Sequence, residues 1–181
     1  MNIKNHWDPY KSKWKAALEK GLAIKPNLED NILYLGASSG TTVGQVSNLT
    51  KGIIFAVENS PDMAIDLVKL SEKRKNIAPV FSDARDVDYI KKAMFGRKIN
   101  ILFQDIPSID QVEILTNASS LIEKDAIILF SLKTQSISQQ PGKVTLTQVE
   151  SVLQKRFQIL SKISLEPYHK KHYFFILKKK I

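Results

Sequence analysis

A turn of small residues between two apolar runs is the part of this sequence best suited to chemistry. An apolar run at 31–35 leads into Gly36, Ala37, Ser38, Ser39, Gly40, Thr41 and Thr42. Gly36 can make a tight turn, and a helix that begins near Thr41 would direct free N–H groups at a ligand. The next apolar run ends at Glu58, whose carboxylate can accept hydrogen bonds from ribose hydroxyls. This spacing is typical of a nucleoside-binding βαβ unit.

Two residues of the turn limit the kind of ligand that it can bind. Ser38 stands where a dinucleotide fingerprint needs a glycine beside the pyrophosphate, and Thr41 follows Gly40 where a P-loop has lysine. The pattern therefore favours a nucleoside without a phosphate tail, of which S-adenosylmethionine is the commonest. Ser38, Ser39 and Thr41 are equally suited to capping the helix, and we expect at least one of them to do so.

Strand and helix patterns alternate along the whole chain. Strands are predicted at 31–36, 52–58, 78–83, 100–106, 126–133, 158–165 and 172–177. Helices are predicted at 8–21, 41–50, 87–95 and 109–122, with two more beginning at Ser60-Pro61 and at a capping box over 147–150. We expect a polar loop at 134–142 and an apolar helix stripe formed by Met63, Ile65, Leu67, Val68 and Leu70.

The connection at 166–171 is too short for a parallel crossover, so the last two strands must be antiparallel. The predicted fold is α/β and Rossmann-like: a seven-stranded, mostly parallel sheet with one antiparallel strand and helices on both faces, as in class I S-adenosylmethionine-dependent methyltransferases. Ligands bind at the carboxyl ends of strands in such sheets. The residues predicted at those ends are Gly36, Glu58, Asp83, Asp105 and Lys133.

Composition limits the class of protein. The chain has 181 residues, a formal net charge of +9 and no cysteine. We expect one domain over 1–181, with a helical segment at 1–24 and a sheet core at 31–181. The charge favours an anionic partner such as RNA, and the absence of cysteine excludes thiolate zinc sites. No apolar run is long enough to cross a membrane, so we expect a soluble, cytoplasmic protein.

Several separated motifs then resemble one family. They are Trp-Asp-Pro-Tyr-Lys-Ser-Lys (7–13), Leu-Tyr-Leu-Gly-Ala-Ser-Ser-Gly-Thr-Thr-Val (33–43), Phe-Ala-Val-Glu (55–58), Asp-Ala-Arg (83–85), Phe-Gln-Asp-Ile-Pro-Ser-Ile-Asp-Gln (103–111), Ser-Leu-Lys (131–133) and Leu-Glu-Pro-Tyr (165–168) with His172. In this order and spacing they resemble fibrillarin, the RNA 2′-O-methyltransferase of box C/D guide ribonucleoproteins.

The resemblance implies a catalytic tetrad and a set of cofactor ligands. Lys133 would be the general base, Asp105 would orient Lys133 and the methyl donor, and Lys13 with His172 would position the nucleotide, with His169 as the rival for the histidine role. S-adenosylmethionine would contact Gly36, Ala37, Ser38, Gly40, Thr41, Thr42, Glu58, Asp83, Ala84, Asp105 and Gln111. No metal is implied. Without the resemblance, Lys13, Asp105 and Lys133 are also explained as ordinary surface or strand-end charges.

The resemblance also implies partners: an rRNA or tRNA target, a box C/D guide RNA, a Nop-domain scaffold protein and a kink-turn-binding protein. The family carries a β-rich region before the tryptophan motif, which here lies within the first ten residues, so we expect a minimal, archaeal-type form in the cytoplasm; a nucleolar location would apply only to a eukaryotic member. Two alternatives stay open: a methyltransferase that acts without guide RNA, and a catalytically silent structural subunit.

Three aromatic residues near the start are expected to pack the first helix rather than stack on bases. They are Trp7, Tyr10 and Trp14. The basic run at 178–180 is most simply a solvated tail, although it also suits contact with RNA phosphates.

Overall fold

The structure contains the seven-stranded, mostly parallel sheet that the sequence predicts. A computed structural model describes residues 7–22, 24–139 and 142–180. Its strands are β1 (Ile32–Leu35), β2 (Ile54–Glu58), β3 (Ile77–Phe81), β4 (Ile101–Gln104), β5 (Ile127–Lys133), β6 (Phe157–Ser164) and β7 (His172–Lys179). They lie in the order β3-β2-β1-β4-β5-β7-β6. β7 is antiparallel to both β5 and β6, and the other neighbouring pairs are parallel.

Helices cover both faces of the sheet. They are α1 (Lys13–Glu19), α2 (Thr41–Val46), α3 (Pro61–Lys73), α4 (Val87–Ala93), α5 (Gln111–Ala118), α6 (Thr134–Ile137) and α7 (Gly142–Leu153), with a 3₁₀ turn at Ser119–Leu121. One apolar cluster joins buried residues of α1, α2 and α3 to one face, and a second cluster joins α4, α5 and α7 to the other. Because its inner strands are buried on both faces, the sheet is apolar along β1, β4 and β5.

The first helix begins later than the Asp8-Pro9 pattern predicted. The Asp8 side chain accepts from the Tyr10 N–H at 2.9 Å, and its carbonyl accepts from the N–H groups of Lys11 and Ser12. These bonds close a turn in place of the first turn of a helix. Ser12 is the observed N-cap, since its hydroxyl accepts from the Lys15 N–H at 3.2 Å.

The predictions for 134–150 were partly wrong. Residues 134–137 form α6 inside the predicted loop, of which positions 140 and 141 lie outside the described residues. The predicted capping box lies within α7, because the Thr147 hydroxyl donates to the Lys143 carbonyl one turn earlier instead of capping a helix end. The N-terminal segment predicted at 1–24 likewise includes positions 1–6 and 23, which the structure does not describe.

The apolar stripe predicted for α3 is only partly buried. Leu67 is 1% exposed, whereas Met63, Ile65 and Val68 are 42%, 55% and 48% exposed. The stripe prediction was therefore wrong for these three residues, because α3 contacts the sheet along a narrower line than the sequence suggested. In the part of the chain that the structure describes, no helix is long and apolar enough to cross a membrane.

Candidate functional site

A cleft of about 210 Å³ opens at the carboxyl ends of β1, β2, β3 and β4. Residues that line it include Gly36, Ser38, Glu58, Asp83, Ala84, Arg85 and Asp105. Gly36 has φ +82°, and a Cβ added there would lie 2.5 Å from the Asp105 carbonyl oxygen. The turn after β1 therefore packs against the end of β4, which only glycine allows.

Glu58 is held at the end of β2 by backbone groups on both sides. Its Oε2 accepts from the Ser38 N–H at 2.7 Å, and its Oε1 accepts from the N–H groups of Asn59 and Ser60 at 3.0 and 2.8 Å. A carboxylate oriented in this way keeps further lone pairs for ribose hydroxyls. Backbone groups thus fix the Glu58 carboxylate at the wall of the cleft.

Asp83 is held in place by Arg85, a residue that the sequence did not identify as part of the site. The Arg85 guanidinium donates to both oxygens of Asp83 at 3.0 and 3.1 Å and to both oxygens of Asp110 at 2.7 and 2.8 Å. Hydrogen bonds from Arg85 and Ser108 lower the pKa of Asp110 to about 2. The sequence contained both ends of this bridge, in the Asp-Ala-Arg motif at 83–85 and in the motif at 103–111, but nothing in it predicted that Arg85 joins Asp83 to Asp110.

Some predicted cofactor residues of the turn face the protein rather than the cleft. Gly40 has φ +85°, and a Cβ there would lie 2.6 Å from Leu70 on α3. Thr42 is buried, and its side chain hydrogen-bonds to Tyr34. Ala37 is also buried, whereas Thr41 is exposed at the start of α2. These positions shape the turn, and Gly36, Ser38, Glu58, Asp83 and Ala84 line the cleft itself.

Lys13 and Asp105 form an ion pair at the edge of the cleft. Lys13 Nζ lies 2.9 Å from Asp105 Oδ2, and the two side chains are 25% and 16% exposed. The same carboxylate lies near Tyr34, and burial together with the Asp105 charge raises the pKa of Tyr34. Tyr34 is therefore neutral at ordinary pH, and Asp105 and Lys13 are the charged groups of this corner.

Lys133 ends β5 and is held through its backbone. Gln111, which is fully buried, donates to the carbonyls of Ser108 and Lys133 at 2.8 and 3.1 Å and accepts from the Lys133 N–H at 3.0 Å. These bonds use both N–H groups of the Gln111 amide. Gln111 therefore fixes the backbone at the end of β5. Within the described residues, the Lys133 ammonium makes no ion pair.

His172 lies opposite Lys133, because the two residues are partners in the β5–β7 register. Its Nδ1 is 2.8 Å from the Lys170 carbonyl oxygen, which can only accept, so Nδ1 carries the proton and Nε2 is the free atom of the neutral ring. Burial and the Lys13 charge lower the pKa of His172. The rival His169 uses its Nε2 to donate to the Pro9 carbonyl at 2.8 Å.

The structure brings the four predicted catalytic residues to one edge of the sheet, with one change in partners. Asp105 pairs with Lys13, and Lys133 is ordered by Gln111 instead of by Asp105. Three carboxylates, those of Glu58, Asp83 and Asp105, line the cleft with a single guanidinium that two carboxylates already neutralise. This acidic lining suits a cationic nucleoside and disfavours a phosphate tail. Among the described residues, no cluster of three metal-binding side chains occurs.

Comparisons with known proteins test the resemblance in sequence and in fold. A rRNA/tRNA 2′-O-methyltransferase named as fibrillarin-like, from Methanosarcina barkeri, is 35% identical over 173 residues, which cover 92% of this chain and 76% of the relative. The structure of a fibrillarin/Nop5p complex matches with a TM-score of 0.92 and 30% identity over 97% of this chain and 84% of that chain.

Aeropyrum pernix fibrillarin with natively bound S-adenosyl-L-methionine matches with a TM-score of 0.83 and 28% identity over 94% of this chain and 76% of that chain. The family model described as Fibrillarin matches residues 4–181. The resemblance predicted from separated motifs is thus confirmed over nearly the whole sequence, and the chain belongs to the fibrillarin family.

Proposed function

We propose that this protein transfers a methyl group from S-adenosylmethionine to the 2′-hydroxyl of ribose in rRNA or tRNA, as the catalytic subunit of a box C/D ribonucleoprotein. The observation that carries the proposal is the Lys13–Asp105 ion pair, 2.9 Å long, at the mouth of an acidic cleft of nucleoside size. It joins the cleft to the edge where Lys133 and His172 face each other across β5 and β7.

The cleft lining fits the cofactor. Glu58 is oriented to accept from the two ribose hydroxyls, and Asp83 with the Ala84 backbone would contact the adenine edge. Gly36 brings the turn close to the end of β4, so Asp105 lies within reach of a cationic group bound there. The acidic lining stabilises a sulfonium, whose positive charge attracts these carboxylates.

When bound, S-adenosylmethionine supplies an electrophilic methyl group. Lys133 would serve as the general base that takes the proton of the 2′-hydroxyl, as the ribose oxygen attacks the methyl carbon of the donor and the sulfur–carbon bond breaks. Asp105 orients the methyl donor and fixes Lys13, which is then placed to contact a phosphate of the target strand. His172, neutral and with Nε2 free, accepts a hydrogen bond from the same nucleotide. Alignment of the reacting atoms supplies the largest part of the rate gain.

The remaining predicted cofactor residues act by shaping the site. Ala37, Gly40, Thr41 and Thr42 form the turn and the start of α2, and Ser38 donates the N–H that orients Glu58. Gln111 orders the end of β5 through the backbone of Lys133. We therefore place Gln111 among positioning residues.

RNA and scaffold partners follow from the family. The net charge of +9 supports binding to an RNA backbone. The fibrillarin/Nop5p complex matches 97% of this chain, which supports a Nop-domain scaffold as a partner, with a kink-turn-binding protein and a guide RNA completing the particle. Archaeal relatives such as that of Methanosarcina barkeri support a cytoplasmic location.

The test is methyl transfer from labelled S-adenosylmethionine to a target RNA, with and without guide RNA, scaffold and kink-turn protein. We expect transfer only in the complete mixture, and a loss of roughly 10²–10⁴-fold in rate for Lys133→Ala, the range of a general base. Lys75→Ala, an exposed lysine in the turn before β3, is the matched control and should keep full activity.

Other outcomes would identify the alternatives. Transfer to bare RNA would replace the guided function by a stand-alone methyltransferase. Calorimetric binding of S-adenosylmethionine without transfer in the complete mixture would indicate a silent subunit, and an unchanged rate in Lys133→Ala would remove the proposed base.

A further inference from the structure

The basic run at 178–180 is not the solvated tail that was its simplest interpretation. Lys178 and Lys179 form the end of β7 and pair with the first residues of β6. Lys180 extends this contact, since its N–H donates to the Arg156 carbonyl at 3.1 Å. The tail prediction was therefore wrong, because pairing with β6 continues through the run.

This pairing helps to build a basic hollow with a volume of about 540 Å³. The residues that line the basic hollow are Ser119, Lys155, Arg156, Phe157, Lys179 and Lys180. They come from three places in the sequence: the 3₁₀ turn after α5, the turn between α7 and β6, and the end of β7. The fold thus brings together four cations that the sequence keeps in two separate pairs.

Two of these cations are held in place by backbone carbonyls. Lys179 Nζ donates to the Ile122 carbonyl at 2.6 Å, and Lys180 Nζ donates to the Gln154 carbonyl. An ammonium group has three N–H donors, so each lysine keeps two for a further acceptor. Because these side chains are already ordered, binding of an anion costs less conformational entropy than it would on free lysines.

The positive charge of the basic hollow is not neutralised by the residues that the structure describes. None of the described residues that line it is acidic, and none of its four cations forms an ion pair with a described carboxylate. On the same elements, Lys162 of β6 does pair with Glu150 of α7. Like charges held close together repel each other, so an anion bound in the hollow would relieve this repulsion.

The basic hollow lies at the opposite end of the sheet from the proposed catalytic residues. β7 has eight residues, begins at His172 and ends at Lys179. At about 3.4 Å per residue, the strand separates its two ends by roughly 24 Å. An anionic group in the hollow is therefore distinct from the nucleotide that reacts beside His172.

We propose that the basic hollow binds the sugar–phosphate backbone of an RNA segment that lies away from the reacting nucleotide. The inference rests on the proposed function for the identity of this polyanion as RNA. An RNA strand carries a phosphate at each nucleotide, so one strand can contact several of the four cations at once. Its phosphates stay accessible when its bases are paired with a guide. Such contacts hold and orient RNA without selecting a sequence.

The experiment compares two variants that lose the same positive charge. The hollow variant carries Lys155→Gln, Arg156→Gln and Lys180→Gln. The control variant carries Lys51→Gln, Lys75→Gln and Lys91→Gln. The control lysines are exposed and lie on separate elements, before β2, before β3 and on α4. Anisotropy measures the affinity of each protein for a fluorescent single-stranded RNA over a series of salt concentrations.

The salt dependence reports the number of phosphate contacts. Each contact with a single strand adds about 0.7 to the slope of log affinity against log salt, so the hollow variant should lose about 2 from this slope. Between about 50 and 200 mM salt, the affinity of the wild type should fall roughly 20-fold more than that of the hollow variant. The slope of the control variant should stay near that of the wild type. Equal slopes for the hollow and control variants would overturn the proposal.

A second measurement uses the wild-type protein and does not depend on the folding of a variant. Lysines are acetylated with and without saturating RNA, and the modified sites are identified by mass spectrometry. RNA should slow the acetylation of Lys155 and Lys180 and leave that of Lys51 and Lys75 unchanged. A lack of protection at Lys155 and Lys180 would overturn the proposal.

A polyglutamate peptide tests the other class of polyanion. We expect RNA to protect Lys155 and Lys180 at concentrations where the peptide does not. Protection by the peptide and not by RNA would identify a docking surface for an acidic protein segment and would overturn the proposed RNA contact.

The result is separable from the proposed function, because neither measurement involves methyl transfer. Methyl transfer by the complete particle, without protection of Lys155 and Lys180 by RNA, would overturn this inference alone. Protection of the two lysines without methyl transfer would leave the RNA contact in place and would overturn the proposed catalysis.

Discussion

Lys13 and Asp105 lie 92 positions apart in the sequence and form an ion pair of 2.9 Å in the structure. Lys13 is the first residue of α1, and Asp105 directly follows β4. The pair therefore attaches the N-terminal helix to the carboxyl edge of the sheet. It also makes this helix part of the candidate site, since Asp105 lines the cleft.

This pair should show coupling in a double-mutant cycle of Lys13→Met and Asp105→Asn. Both side chains are mostly buried, so we expect a coupling free energy of about 1–3 kcal/mol in urea unfolding. The matched control is the Lys98–Asp125 pair, 3.0 Å long but 54% and 70% exposed. Exposed pairs contribute about 0–1 kcal/mol. A coupling free energy within this range for Lys13 and Asp105 would show that their contact is not formed in solution.

Gly36→Ala should abolish binding of S-adenosylmethionine and destabilise the fold more than Gly21→Ala does. Both glycines have a positive φ, of +82° and +91°, but only at Gly36 would a Cβ meet backbone, 2.5 Å away; at Gly21 nothing lies within 4 Å. Gly21→Ala should therefore cost only the backbone strain, about 1–2 kcal/mol. Calorimetry measures cofactor binding by the two variants, and urea unfolding measures their stability. Equal losses of affinity and stability in the two variants would contradict the close approach of Gly36 to the Asp105 backbone.

Arg85→Ala should raise the pKa of Asp110 from about 2 towards its ordinary value, because hydrogen bonds from Arg85 are the largest cause of the lowered pKa. A lowered carboxyl pKa stabilises the folded state above the pKa of the unfolded chain, about 3.9, and this contribution disappears as pH falls through about 2. Carboxyl NMR titration measures the shift directly.

The same variant should bind S-adenosylmethionine more weakly, by roughly tenfold, since Asp83 loses the guanidinium that orients it. Lys98→Ala is the control, because its partner Asp125 is a different exposed carboxylate. If the pKa of Asp110 were the same in Arg85→Ala as in the wild type, the contact of Arg85 with Asp110 would be excluded.

His172 and His169 should both titrate below the ordinary histidine pKa of 6.5, chiefly because they are partly buried, with the Lys13 charge as a further cause. A lowered histidine pKa favours the neutral ring, so its contribution to stability is complete above 6.5 and is lost as pH falls through the folded-state pKa.

Lys13→Met should raise the pKa values of both His169 and His172, since it removes a cation and leaves the Asp105 charge without its partner. Imidazole NMR titration of the two proteins tests this. Identical titration curves in the variant and wild type would place Lys13 away from the histidines in solution.

Elements with strong local patterns were predicted well. All seven strands were expected, and the continuous apolar runs of β1, β2, β4 and β5 match their burial, because strands covered on both faces of a sheet have no polar alternation. Helix starts were predicted less well. Asp8-Pro9 and the box at 147–150 are both plausible caps by local chemistry, but Asp8 closes a turn and Thr147 bonds to the preceding turn of α7.

The sequence by itself determined the fold, the family and the residues that converge on the edge of the sheet, because periodicity, turn chemistry and motif order are local properties of the chain. Only the tertiary structure decided which of those residues meet. Asp105 pairs with Lys13, Arg85 bridges Asp83 and Asp110, and Tyr10 is left exposed. These contacts depend on how distant segments pack, since side chains of many residues reach several partners and only the packed fold selects one.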